Sequence, residues 1–267
     1  MGWGRKAELI LAGEWSPIRI FSLENGKAEE VQVKGLANSA GWISALEVAD
    51  VDGNGLSDIL IGNLGLNSKL KASKEKPVWL YHFDFDGNGQ ADPVIFHYMG
   101  EKLVPFATRD DLIRQIPEIK RKHSSYAEYA KIQQPEDLLS KEKLALARKL
   151  PAYEFRSGVY LQKEPGVFRF IPFPAEAQWS PVMSLAFSPL TQKIALGFNS
   201  SDLRVDLGKS LNGRPMLMSW KNNSWSLEYP KTPKSSNPEI RQIREIRWKG
   251  TPIFLGAENN GPLIPYQ

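Results

Sequence analysis

Two loops of the same nine-residue pattern limit the fold of this chain more than any other feature of its sequence. The pattern D-x-D-G-N-G-x-x-D spans residues 50–58 and recurs thirty-four positions later at residues 84–92. It places oxygen-bearing side chains at positions 1, 3, 5 and 9, and glycines at positions 4 and 6. Oxygen side chains at alternating positions can turn inward around a hard cation, and the glycines permit the positive-φ bends that so tight a loop needs. Each loop is therefore predicted to hold one calcium ion.

The candidate ligands of each ion are three carboxylates, one side-chain amide and the backbone carbonyl at position 7. They are Asp50, Asp52, Asn54, Leu56 and Asp58 in the first loop, and Asp84, Asp86, Asn88, Gln90 and Asp92 in the second. Calcium is favoured over magnesium, because magnesium keeps its waters and requires octahedral geometry. Since each loop supplies its own ligands, we expect the ions to be structural. The alternative is a pair of ion-free Asx turns.

The residues around the loops predict strands and not helices. An EF-hand loop carries a bidentate Glu at position 12 and lies between helices. Position 12 is Ile61 in the first loop and Ile95 in the second, and neither side chain can bind a cation. Apolar, β-branched runs follow both loops, and strand-like runs at 43–48 and 78–83 precede them. Each loop is therefore predicted to join two strands.

A short apolar run that ends in glycine recurs along the chain, and hairpin signals such as Asn25-Gly26 lie between the runs. An asparagine follows three of the runs closely. The glycines are Gly13, Gly62, Gly197 and Gly256, and the asparagines are Asn63, Asn199 and Asn259. Small sheets of about four strands that repeat in this way are typical of propeller blades. We predict a mainly β fold, a β-propeller of about five blade equivalents that extends over residues 1–267.

A helical segment interrupts the β pattern between residues 105 and 155. Thr108, Ser125 and Ser140 are predicted N-caps, and residues 141–149 are good helix formers throughout. We interpret this segment as an insertion within the third blade.

Composition excludes several classes of protein. The chain has no cysteine, so disulfides and thiol redox chemistry are excluded. The formal net charge of +4 comes without a visible basic face, so nucleic-acid binding is not predicted. The sequence contains no apolar run long enough to cross a membrane. Met1 to Lys6 precede no apolar signal core, so we expect no signal peptide in this chain.

The loops and the I-L-I-G-type strands that follow them resemble the FG-GAP/VCBS repeats of integrin-like β-propellers. Segments 12–21, 62–70, 105–110 and 258–263 look like the C-terminal part of bacterial VCBS-repeat proteins of the ASPIC/UnbV type. The resemblance implies a calcium-stabilised scaffold that is secreted or exposed at the cell surface, contacts protein or glycan ligands and has no established catalytic residues. An extracytoplasmic location is therefore expected from the resemblance.

Two departures from the family pattern concern the remaining blades. The stretch 186–193 contains no carboxylate where the family implies another acidic loop, and no acidic loop precedes the run that ends at Gly13. We therefore expect the chain to be an arc of a larger propeller, whose partners include missing blades of a parent chain. A related alternative is a fragment of a longer surface protein without independent activity.

The candidate ligand-facing surface combines the polar segment after the first loop with the start of the helical insertion. Its residues are Asn63, Asn67, Lys69, Arg109 and Asp110. The alternative is ordinary loop packing. Eight tryptophans are expected to lie mainly between blades, although exposed ones could stack on sugars.

Catalytic signatures are absent from the sequence: it has no G-x-S-x-G, H-E-x-x-H or P-loop motif. We therefore predict a protein that is not an enzyme. The alternative is a hydrolase-like enzyme that uses the helical insertion as a lid. Such an enzyme would need an acid–base pair such as Asp110 with His97.

Overall fold

The computed structural model of the protein describes residues 7–200, 210, 213–230 and 238–266. The prediction that the chain carries no signal peptide concerns Met1 to Lys6, which lie outside these residues. The chain divides into two compact units. The first contains residues 1–69 and 155–267, and the second contains residues 70–154.

Strands outnumber helices across the described residues, which confirms the prediction of a mainly β protein. In chain order the strands are β1 Ala7–Gly13, β2 Ser16–Glu24, β3 Lys27–Val31, β4 Ala45–Ala49, β5 Asp58–Gly62, β6 Val78–Phe83, β7 Asp92–Met99, β8 Lys102–Pro105, β9 Arg148–Ala152, β10 Gly158–Glu164, β11 Val167–Pro172, β12 Val182–Ser188, β13 Lys193–Phe198, β14 Met216–Lys221, β15 Ser224–Glu228, β16 Ile240–Trp248, β17 Thr251–Glu258 and β18 Leu263–Tyr266. The helices are α1 Arg109–Gln115, α2 Ile119–Lys122, α3 Tyr126–Tyr129, α4 Pro135–Leu138 and α5 Lys141–Leu146, and a 3-10 helix spans Ala175–Gln178.

The described residues of the first unit form four antiparallel sheets. Their strand orders are β1-β2-β3, β11-β10-β5-β4, β12-β13-β14-β15 and β16-β17-β18. In the second of these sheets, β5 pairs directly with β10, and Ile61 lies opposite Gly158. The whole second unit, residues 70–154, is therefore an insertion in the chain between two neighbouring strands of one sheet.

The second unit contains one antiparallel sheet of order β8-β7-β6-β9, and the helices lie between β8 and β9 in the chain. The hydroxyls of Thr108, Ser125 and Ser140 each accept a hydrogen bond from a backbone N–H in the first turn of a helix, as predicted. Buried Leu112, Ile116 and other apolar side chains of the helices join those of β6 and β7 in one core.

The end of the helical segment differs from the sequence prediction. The helix that begins after Ser140 ends at Leu146, and β9 begins at Arg148, inside the range predicted to be helical. Residues 148–152 pair with β6, and Leu150 lies opposite Leu80. Pairing of this segment with a half-buried strand outweighs the local helix propensity, which is a weak preference that tertiary context overrides.

Glycines at the ends of the apolar runs allow neighbouring sheets of the first unit to approach closely. A Cβ on Gly62 would lie 2.2 Å from the carbonyl oxygen of Val182 at the start of β12. A Cβ on Gly197 would lie 2.6 Å from Cγ2 of Ile240 at the start of β16. These distances are too short for any side chain, so the packing of one sheet on the next explains the glycine at these two of the four runs.

We predict that Gly62→Ala destabilises the protein and that Gly13→Ala does not. The first change forces a methyl group against a backbone carbonyl, whereas the Cβ position of Gly13 has no atom within 4 Å. We expect Gly62→Ala to lower the free energy of unfolding by about 1–3 kcal/mol, the usual cost of overpacking. Urea denaturation of both variants in calcium checks this expectation. Equal stability of the two variants would contradict the close sheet-to-sheet approach.

Candidate metal centres

The first loop lies between β4 and β5, which pair as an antiparallel hairpin in the first unit. Asp50, Asp52 and Asp58 each offer a carboxylate oxygen there, and the three oxygens lie within 4.8 Å of one another. Oxygen ligands bind calcium at 2.3–2.6 Å, so two ligands of one ion are at most roughly 5 Å apart. The donor set and its spacing fit a hard divalent cation.

The second loop lies between β6 and β7 of the second unit, which confirms that each loop joins two strands. Asp84, Asp86 and Asp92 form the same arrangement, with carboxylate oxygens within 4.8 Å of one another. The repeated sequence pattern thus produces the same convergence of three carboxylates in two different sheets.

Glycines and backbone N–H groups shape each loop. Gly53 and Gly55 have φ values of +73° and +85°, the left-handed conformation that glycine adopts readily. The backbone N–H groups of Asn54 and Gly55 donate to the carboxylate of Asp50 at 3.1 and 2.9 Å.

Corresponding bonds in the second loop change the acidity of Asp84. Gly89 N–H donates to Asp84 at 2.8 Å, as do the N–H groups of Gly87 and Asn88. These backbone donors, that of Gly89 foremost, lower the pKa of Asp84 below its usual value. The loop therefore holds its first carboxylate in the ionised form that a cation requires.

The aspartate at position 9 is buried in both loops. Asp58 is completely inaccessible, and its two oxygens accept hydrogen bonds from Val51 N–H at 2.8 Å and Gln162 N–H at 2.7 Å. Burial, and to a smaller degree the nearby carboxylates, raises the pKa of Asp58 to about 6. Asp92 accepts from Phe85 N–H at 2.9 Å. A cation would offset the cost of ionising Asp58 out of water.

The amide at position 5 takes part in a local turn in both loops. Asn54 Oδ1 accepts from Leu56 N–H at 2.8 Å, and Asn88 Oδ1 accepts from Gln90 N–H at 2.7 Å. These are the Asx turns that the sequence allowed as an alternative. An amide oxygen has two lone pairs, so the turn and a metal bond are compatible. Coordination by these amides and by the carbonyls of Leu56 and Gln90 stays a prediction.

A lysine distinguishes the first loop from the second. Lys163 Nζ, on β10, lies 2.7 Å from Asp52 Oδ2. In the second loop, the equivalent Asp86 accepts from the backbone and side-chain nitrogens of Asn88. No motif pointed to Lys163, because it is 111 residues from Asp52 in sequence and reaches the loop only through the pairing of β5 with β10.

The predicted ligand-facing residues of the first unit have different environments. Asn63 is fully buried, and its Oδ1 accepts from Trp42 N–H and Leu64 N–H, each at 2.9 Å. Asn63 is therefore a structural residue, and the prediction that it faces a ligand is wrong. An asparagine after a strand gives the same sequence pattern whether its side-chain amide points into the protein or toward solvent. The sequence therefore could not show that Asn63 is buried. Asn67 and Lys69 are exposed.

Arg109 and Asp110 belong to the second unit. The guanidinium of Arg109 is largely buried and donates to the carbonyls of His123 and Ser124 at 2.8 and 2.9 Å. Asp110 accepts from the Tyr126 hydroxyl at 2.8 Å, and this bond is the main reason that its pKa is lowered. Both residues thus join the turns of the helical segment.

The structure does not join Asp110 and His97 as an acid–base pair. The ring of His97 packs edge-to-face on Phe106 at a centroid distance of 5.4 Å, and burial lowers its pKa. Asp110 instead bonds to Tyr126 and to Arg109. Among the described residues, no hydrogen bond joins Asp110 to His97.

Comparison of the chain with models of protein families finds no match. Neither a curated protein nor a solved structure matches it. Within the part of the chain that the structure describes, no helix has the length and apolar character to span a bilayer.

We predict that Asp58→Ala destabilises the protein even when no metal is present. The change leaves two buried N–H groups, of Val51 and Gln162, without an acceptor. We expect the free energy of unfolding to fall by about 2 kcal/mol or more in a chelator. Asp52→Ala is the matched control, since Asp52 pairs with a lysine that is 45% exposed, and such an ion pair is worth at most about 1 kcal/mol. Chemical denaturation of both variants in chelator measures the difference, and equal losses would contradict the structural role of Asp58.

Proposed function

We propose that this protein is a non-enzymatic β scaffold whose two acidic loops each hold a structural calcium ion. The observation that carries the proposal is the convergence of three carboxylates within 4.8 Å in each of two loops of identical pattern. Three ionised carboxylates at this spacing repel one another, and a divalent cation relieves the repulsion. The all-oxygen donor set favours a hard cation, and the flexible loop geometry favours calcium over magnesium.

A structural role for the ions is supported by the origin of their ligands. The carboxylates of each site come from one loop between two paired strands, so an ion would fasten the hairpin. Asp58 also bonds to Gln162 on β10, so the first ion would steady the contact with a third strand. Ligand binding to the folded state alone stabilises it by mass action.

The packing within the first unit supports propeller blades as the architecture of its sheets. Ser44 Oγ, just before β4, donates to the carbonyl of Val182 on β12 at 2.8 Å. Ser184 Oγ on β12 donates in turn to the carbonyl of Ile240 on β16 at 3.2 Å. Edge strands of successive sheets thus meet in the same way, as the innermost strands of blades do.

A location outside the cytoplasm and contacts with protein or glycan ligands belong to the same proposal. Both follow from the resemblance to FG-GAP/VCBS repeats. Loops of this kind in extracellular modules bind calcium with Kd values of order 10⁻⁴ to 10⁻³ M, which suits surroundings rich in calcium.

We predict that calcium raises the melting temperature and that Asp52→Ala and Asp86→Ala each remove part of this effect. Calcium at one hundred times its Kd would stabilise a folded unit by about 2.7 kcal/mol. Isothermal titration calorimetry should count two ions in the wild type and one in each variant. The measurements are melting curves in calcium, in magnesium and in chelator.

The control is Glu29→Ala, which removes an exposed carboxylate of β3 that belongs to neither loop. This variant should keep the full response to calcium. If the wild type unfolds cooperatively with a melting temperature that calcium does not change, the proposal is wrong. The loops would then be ion-free Asx turns.

We predict that Lys163→Met tightens calcium binding by the first loop and leaves the second unchanged. The ammonium group lies 2.7 Å from a candidate ligand oxygen and repels an incoming cation. An ion pair whose lysine is open to solvent is worth at most about 1 kcal/mol, so we expect a gain of up to about fivefold in affinity. Lys193→Met is the control, because Lys193 forms a similar ion pair with Glu228 away from the loops. Calorimetry in an Asp86→Ala background isolates the first site, and a weaker affinity there would contradict the role given to Lys163.

A further inference from the structure

A cleft in the first unit has the size and lining of a ligand-binding site. Its walls come from the connection after β5, from the 3-10 helix and the residue after it, and from the regions before β14 and after β15. Its volume is about 910 Å³, within the range of small-molecule sites in proteins. The lining residues that matter here are Asn67, Glu176, Gln178, Trp179, Arg214 and Tyr229.

The frame of the cleft is tied together by a buried glutamine. The side-chain amide of Gln178 accepts from Ser157 N–H at 2.9 Å and donates to the carbonyl of Phe173 at 3.1 Å. Its backbone carbonyl accepts from Leu66 N–H at 2.8 Å, and this holds the connection after β5 against the 3-10 helix. A frame that is already ordered does not lose this conformational freedom when a ligand binds.

Two aromatic side chains remain half exposed at the cleft. Trp179 is 52% exposed and Tyr229 is 54% exposed. Each presents a flat apolar face together with a polar edge. Such a face matches the C–H face of a pyranose ring, while the polar edge remains able to bond to a hydroxyl group.

An amide, a carboxylate and a guanidinium group line the same cleft as these rings. The Asn67 side-chain nitrogen donates to the carbonyl of Trp179 at 3.2 Å, which orients the amide. Glu176 offers a carboxylate and Arg214 a guanidinium, and both can bond to two adjacent hydroxyls at once. Their charges cancel, so the lining favours a neutral ligand over a highly charged one.

We propose that this cleft binds a neutral oligosaccharide, with a sugar ring stacked on Trp179 or Tyr229 and its hydroxyls bonded to Asn67, Glu176 and Arg214. The inference rests on the proposed role of the chain as a binding scaffold, and it names the class of ligand. It does not depend on the calcium loops, because none of their residues lines the cleft.

Calorimetric titration with cellohexaose, laminarihexaose and mannohexaose, and with hexagalacturonate as the charged counterpart, tests the proposal. At least one neutral sugar should bind. Trp179→Ala and, separately, Tyr229→Ala should weaken that binding by about tenfold or more. Trp248→Ala is the matched control, because Trp248 is 59% exposed on β16 and does not line the cleft.

The proposal fails if none of the neutral sugars binds to protein that melts cooperatively, or if only hexagalacturonate binds. It also fails if Trp248→Ala weakens binding as much as Trp179→Ala does. The calcium response of the same melting curves is read separately, so a calcium-insensitive protein that binds sugar would overturn the metal proposal alone. A calcium-stabilised protein that binds no sugar would overturn the cleft proposal alone.

Discussion

The conformation of the first loop depends mainly on the hydrogen bonds that the buried carboxylate of Asp58 accepts. One of its oxygens fastens the loop through Val51 N–H, and the other reaches Gln162 on β10. Strand β10 follows the inserted unit in the chain and pairs with β5. The same aspartate therefore joins the loop to the part of the chain that resumes after the insertion. Metal binding by this loop would therefore be physically linked to closure of the interrupted sheet, since one side chain would serve both.

The two loops share a pattern, but their surroundings make them unequal. In the first loop, Lys163 pairs with Asp52, and burial raises the pKa of Asp58 to about 6. The second loop lies in a smaller unit, and backbone N–H groups lower the pKa of its first aspartate, Asp84. Identical ligand residues thus start from different electrostatic conditions. The affinity of each loop for a cation would therefore depend on what the sheet brings near the loop as well as on the loop itself.

Two of the three asparagines that follow the glycine-terminated runs, Asn63 and Asn199, have a common structural role in the first unit. Asn63 bonds to the backbone at Trp42, and Asn199 accepts from Gly213 N–H at 2.8 Å and donates to the carbonyl of Pro238 at 2.9 Å. Both are fully buried. A buried amide that satisfies backbone groups of separate segments is costly to replace. This requirement explains the asparagine after these two runs, of which only Asn63 was predicted from the sequence to face a ligand.

The sequence by itself determined the local features of this protein. The loop pattern predicted the strand-loop-strand units, the positive-φ glycines and the clusters of carboxylates, because these depend on residues within nine positions of one another. Thr108, Ser125 and Ser140 predicted their helix starts for the same reason. Only the tertiary structure decided the pairing of β5 with β10, the burial of Asn63 and the approach of Lys163 to Asp52. The strand pairing and the lysine contact join residues about ninety or more positions apart, and no local propensity or spacing encodes which distant strands pair.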